Sequence, residues 1–171
     1  MSKWGVRMAQ QVQGTTLHDT ENIRLIRQAL TAQQEDLQLL CTYAEYCIGV
    51  QHVGIDDDEV VAFKENVAKI EARQQKRYDE IDTLLHDTFR DLRKEKTTDD
   101  RIYRCAKDAR QTEAGLRTLR LFLTDIIDML SNRTLKRNRA VDRLGYFEKR
   151  SADVEAQIML VQEKATMLAN R

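Results

Sequence analysis

The chain has 171 residues, with 28 Lys and Arg against 28 Asp and Glu, so its formal net charge is zero. That balance argues against a surface that attracts nucleic acid or lipid everywhere, and it leaves room for local patches. Charged residues at 33 %, hydrophobic residues at 42 %, no Pro and only six Gly describe long, surface-rich helices that little interrupts.

Residues 1–18 read as an amphipathic N-terminal segment ahead of a helical domain over 19–171. Met1, Trp4, Met8 and Val12 share one helical face, and Lys3 and Arg7 share the other. A segment of this kind folds at a membrane interface or docks on the helical bundle. Gly5 and Gly14 weaken it as a helix. No run of 18 apolar residues occurs anywhere, and the N-terminus lacks the apolar core of a secretory signal. A soluble, cytoplasmic protein is expected, peripheral at a membrane if lipid is its partner.

The first helix begins at Asp19 or Thr20, either of which can cap it. Its apolar seam reads Ile23, Ile26, Leu30, Gln33, Leu37, Leu40, Ala44, Cys47, with Gly49 and Gly54 bracketing its end. The three cysteines, Cys41, Cys47 and Cys105, make an odd number with no CxxC pair. Cys47 and Cys105 fall on seam positions, so they read as buried structural thiols in a reducing compartment.

Asp56, Asp57, Asp58 and Glu59 open the second helix, where negative charge complements the macrodipole. A calcium loop needs its oxygen ligands spread over about twelve residues around a central Gly, and this acidic run lacks both features. The helix then carries Val60, Phe63, Val67 and Ile70, a polar span from Glu71 to Arg77, and Tyr78, Ile81, Leu85, Phe89 and Leu92. The steps Ile70 to Gln74 to Tyr78 are two fours in succession, a stutter that predicts a weakened middle. Thr97 with Asp100 resembles a capping box at the start of the next helix. The turn is short enough to require an antiparallel hairpin.

The last stretch, residues 98–171, shows the clearest order. Stepping by threes and fours from Leu116 gives Leu119, Leu123, Ile126, Leu130, Arg133, Arg137, Ala140, Leu144, Phe147, Ser151, Val154, Ile158, Val161, Ala165 and Leu168, and stepping back adds Thr112, Ala109, Cys105 and Ile102. A spacing of 3.5 residues is the seam of a left-handed coiled coil. One unbroken helix here would be about 110 Å long and would need a second chain to cover its overhang. The ambiguity lies at Ser131, Asn132, Arg133 and Thr134. The unslipped phase favours continuity, hence an all-α, elongated antiparallel coiled coil of three long helices. A break there would instead give a four-helix up-down bundle.

Two cationic clusters stand out. One is mid-stretch: Arg133, Lys136, Arg137, Arg139, Arg143, Lys149 and Arg150 against Asp142 and Glu148. The other surrounds the hairpin tip: Arg90, Arg93, Lys94, Lys96, Arg101, Arg104, Lys107 and Arg110. Such faces suit a phosphate-bearing surface, or they are solvated faces paired with nearby acids. Nucleic acid is disfavoured, because no aromatic is interleaved with the mid-stretch cations and no reading-helix motif is present. Catalysis is not expected. His18, His52 and His86 are far apart, and the chain has no GxSxG, P-loop or GxGxxG. No His follows a Glu by three residues, so the di-iron bundle signature is absent. No cofactor and no metal are implied.

Long Pro-free helices, polar breaks within them, a basic hairpin tip and an amphipathic N-terminus resemble the BAR-domain superfamily, in its N-BAR form. Locally, Gly54-Ile-Asp-Asp-Asp-Glu-Val60 followed by Arg77-Tyr78-Asp79 is similar to a segment of the fungal eisosome core proteins. The resemblance implies a homodimeric curved rod that binds and shapes anionic membranes. Arg93, Lys94, Lys96, Arg101, Arg104, Lys136, Arg139 and Arg143 would then face lipid phosphate, and Trp4 and Met8 would insert among acyl chains. The alternative is a non-enzymatic coiled-coil adaptor or assembly protein without lipid binding, whose partners are other helices.

Overall fold

The computed structural model describes residues 17–94, 99–131 and 137–170. Within them the chain folds into helices α1 (Leu17–Val50), α2 (Asp57–Arg93), α3 (Asp100–Leu130) and α4 (Arg137–Ala169). Each is about 45–55 Å long. Successive helices run antiparallel in an up-down-up-down order. Lys64 of α2 meets Asp128 of α3 at 2.7 Å, while Phe89 and Tyr103 stack 5.9 Å apart near the other end of the same pair.

The expected three-helix rod is therefore corrected to the four-helix alternative. The helix stops at Leu130, and three contacts explain the stop. Ser131 turns to an extended conformation, with φ −63° and ψ 147°. Its N–H and its hydroxyl both donate to the Asp128 carbonyl, at 3.3 and 2.8 Å. The Leu130 carbonyl, which a continuing helix would use internally, accepts instead from the Ile55 N–H at 2.7 Å. Ile55 itself is completely buried in the loop between α1 and α2. That loop clasps the end of α3 and fixes where it ends.

The seam survives the break. Leu116, Leu119, Leu123, Ile126 and Leu130 of α3 are buried, as are Ala140, Leu144, Phe147, Val154 and Ile158 of α4. They cover one another within a single chain, so no second copy is needed to shield them. Gly115 lets α3 and α4 approach closely, because a Cβ there would lie 3.1 Å from Cγ2 of Val154.

α3 is the central element and packs on α1, α2 and α4, while α2 meets α1 only lightly and, among the described residues, does not pack on α4. The sequence of α3 suits that place, with buried residues from Ile102 to Leu130 spread over about half its circumference.

The ends are set by local chemistry. Gly54 adopts φ 90°, and its N–H donates to the Val50 carbonyl at 2.8 Å, closing α1 as a C-terminal glycine does. Asp56 caps α2 by accepting from the Glu59 N–H at 2.8 Å, which gives the acidic run a structural role. Asp99 caps α3 by accepting from the Arg101 N–H at 3.0 Å; Thr97 of the expected capping box lies outside the described residues. Gly145 is exposed within α4, with open space where a Cβ would stand. Gly145→Ala is expected to stabilise the fold by about 0.5–1 kcal/mol, read as a higher urea midpoint at unchanged m-value.

Candidate functional sites: a buried polar layer, one cationic end and an outward helix face

Two apolar clusters fill the bundle, one towards the α1–α2 loop and one towards the α2–α3 turn. Between them lies a layer of buried polar side chains. Arg77 of α2 is its hub. Its Nε and Nη2 donate to Oε2 and Oε1 of Glu113 at 3.0 and 2.9 Å, and its Nη1 lies 2.7 Å from Oδ2 of Asp36. Arg73 reaches the other Asp36 oxygen at 2.7 Å from the surface. Gln33 donates to the Ala109 carbonyl and to Glu113 at 3.0 and 2.9 Å, and accepts from the Thr112 hydroxyl at 2.5 Å. One helical turn away, Arg120 donates to Gln74 at 2.8 Å and lies 3.5 Å from Glu71.

The layer joins three helices and balances its charges, two arginines against two carboxylates around Asp36. Burial pushes the Glu113 carboxyl up, and the bonds from Arg77 and Gln33 only partly reverse that. For Arg77, burial works to lower the pKa, but Glu113 and Asp36 outweigh it and hold the guanidinium charged. A carboxyl with a folded pKa above its unfolded value favours the folded state fully below the unfolded value and loses that support as pH rises through the folded one. Glu113 therefore does not drive acid unfolding. The polar span of α2, expected to weaken the helix, instead supplies Gln74 and Arg77 to this layer, and α2 is continuous through it.

The residues expected to face lipid divide between opposite ends of the bundle. Arg93, Lys94, Arg101 and Arg104 lie around the α2–α3 turn, whereas Arg139 and Arg143 lie near the start of α4. The length of α3 separates the two sets. Lys96, Lys136, Trp4 and Met8 lie outside the described residues. Of the seven described tip cations four have acidic partners: Arg90 with Asp87, Arg101 with Asp99, Arg104 with Asp100 and Arg110 with Asp82. Arg93 lies over the Phe89 ring at 5.9 Å. Between residues 82 and 110 the sequence holds eight Lys and Arg and seven Asp and Glu, so this end is close to neutral. Residues 133–150 are different, with seven cations against two acids. There Arg143 lies over Phe122 at 5.4 Å and within 4.0 Å of Asp125.

Burial pushes the Cys47 and Cys105 thiols up to about 11 and raises the half-buried Cys41 as well. Thiolate is the reacting form, so the native protein is expected to show one slowly reacting thiol, Cys41, with a disulfide-exchange reagent. All three should react after unfolding.

Periodicity alone does not single out the outward face of α4. Met159, Leu160 and Met167 are 54 %, 53 % and 71 % exposed, on the side of the helix turned away from Val154, Ile158 and Val161. Ala152 and Ala156 lie on the same exposed side. A second apolar stripe therefore runs along a helix whose first stripe is already buried.

Among the described residues no group of three His, Cys, Asp or Glu is placed to hold a metal ion, and no helix is long and apolar enough to cross a membrane. Comparison with protein-family models, with curated proteins and with solved structures finds no match in any of the three.

Proposed function

We propose that this protein is a non-enzymatic assembly module that presents α4 to another helix. The observation that carries the reading is the outward stripe of α4, with Met159, Leu160 and Met167 each more than half exposed on a helix that needs none of them for its own core. A helix laid along such a face is a common mode of recognition, and flexible Met side chains accommodate varied partners. The buried polar layer supports the reading by joining α1, α2 and α3, which keeps the scaffold behind α4 in one arrangement.

The test places a photo-crosslinking amino acid at Leu160 in the full chain in cells, with Glu65 on the exposed side of α2 as the control position. Discrete protein adducts at 160 and none at 65 are expected. No adduct at 160 ends this reading.

A second reading has one observation in its favour, the excess of five positive charges over residues 133–150. On that reading the start of α4 binds anionic membranes, each cation near the surface contributing about 1 kcal/mol. Flotation with phosphatidylserine vesicles at low salt, lost on reversing Arg139 and Arg143 to Glu, is the expected result; wild-type protein that ignores the vesicles sinks it.

A further inference from the structure

The outward face of α4 has a layout symmetric about Ala156. Seven residues before it stands Lys149, and seven after it Glu163. Four before it stands Ala152, and four after it Leu160. Eleven before it stands Gly145, and eleven after it Met167. All seven residues are exposed. Turned end for end about Ala156, these positions meet their mates in complement, while three residues either side of it Asp153 meets Met159. A small residue opposes a large one at Gly145 with Met167 and at Ala152 with Leu160, Lys149 opposes Glu163, and Ala156 opposes its own copy. Alternating large and small side chains lets facing helices interdigitate, and opposite charges fix the register.

We propose that two copies of this chain pair through antiparallel α4 helices, on a two-fold axis passing beside Ala156. The proposal rests on the assembly reading above and names its partner. A parallel pairing in register would set Lys149 against Lys149 and Glu163 against Glu163, a like-charge arrangement at both positions. The self-complementary layout is what a two-fold interface demands, since the same patch serves both subunits. Charge is matched across the axis and the central residue is small enough for close approach. The contact is about 33 Å long and one helix wide, roughly 300–400 Å² per partner, below the ~800 Å² of a standard stable interface. The dimer is therefore reversible and separates on dilution.

The experiment uses the full chain with Cys41→Ser, which removes the one accessible native thiol. Ala156→Cys in that background is oxidised over a range of concentrations, beside Gln157→Cys, one position round the helix. Rapid disulfide-linked dimer at 156 and little at 157 are expected, because residues on the axis bring their Cβ atoms within disulfide range. In parallel, sedimentation follows Lys149→Glu, Glu163→Lys and the double reversal. Each single change should weaken self-association about tenfold, and the double should restore it, as a charge pair coupled by about 1.5 kcal/mol would. Leu160→Glu should leave the helical content and melting unchanged and give monomer.

A chain that stays monomeric at every concentration and forms no 156 disulfide overturns the proposal. So does a dimer indifferent to both reversals and to Leu160→Glu. A photo-adduct at position 160 with another protein, without self-association, leaves the assembly reading standing and removes this one.

Discussion

Replacing Arg77 by Met is expected to cost about 3–5 kcal/mol of stability, the largest loss from any single change in the polar layer. The guanidinium touches Glu113 through two donors and Asp36 through a third, and all three side chains are almost fully buried. Removing it leaves two carboxylates facing each other in the middle of a bundle. Arg73 reaches only one Asp36 oxygen from the surface, and Gln33 donates a single bond to Glu113. Neither can neutralise the pair. Chemical unfolding followed by helical signal measures the loss. The companion variant Asp36→Leu, Arg77→Met, Glu113→Leu is expected to recover most of it, because a buried ion triad replaced by apolar side chains is often neutral or stabilising. An R77M protein as stable as the parent would mean that the layer does not hold the helices as described.

The second large effect is a change of assembly. Ser131→Ala, Asn132→Ala and Thr134→Ala together are expected to convert part of the protein to a domain-swapped dimer, seen as a doubled mass by light scattering that grows with concentration. The seams on either side of the break share one heptad phase, Leu123, Ile126 and Leu130 before it and Ala140, Leu144 and Phe147 after it. A fused α3–α4 helix would thus still present one uninterrupted apolar stripe. The three alanines raise helix propensity by about 1.5–2 kcal/mol in sum and remove the Ser131 hydroxyl bond to Asp128. What opposes fusion is the Ile55 clasp on Leu130 and the loss of intrachain pairing between α3 and α4. Hinge changes of this sort are a known route to swapping. A strictly monomeric triple variant would show that the clasp alone decides the break.

The same two places mark what periodicity can and cannot reveal. Spacing identifies the residues that α3 and α4 bury, from Leu116 to Leu168, because a 3.5-residue stripe reports burial whichever helix covers it. It cannot report the stop at Leu130. The decisive partner, Ile55, is 75 residues away in the chain, and the preserved phase points towards continuity. The polar layer is half visible. Gln33 and Thr112 are polar residues at seam positions, which signals a layer that is not purely apolar. Asp36, Arg77 and Glu113 lie off the expected seam; α2 buries Ile70, Gln74, Arg77, Ile81, Leu84 and Thr88 in an unbroken alternation of threes and fours, so Tyr78 stays exposed and the expected stutter does not occur. The cationic clusters are legible as composition only. Arg104 with Asp100 is a local pair one turn apart, but Arg110 with Asp82 spans two helices, and pairing decides how much charge remains to attract a ligand. The outward stripe of α4 shares its sequence window with the seam and is hidden by the stronger signal.

The unequal sharing of neighbours among the helices bears on how the molecule opens. α3 buries fourteen described residues and α2 only eight, of which Gln74, Arg77 and Thr88 are polar. α2 leans mainly on α3, whereas α1, α3 and α4 enclose one another. Amide exchange should find α2 releasing as a unit at a lower free energy than its companions, since such sub-global openings follow the thinnest apolar attachment. The charged knot at Arg77 is then a latch as much as a brace: it fastens the loosest stave, and any ligand or modification that unfastens it would free a 37-residue helix while the remaining three stay wound together.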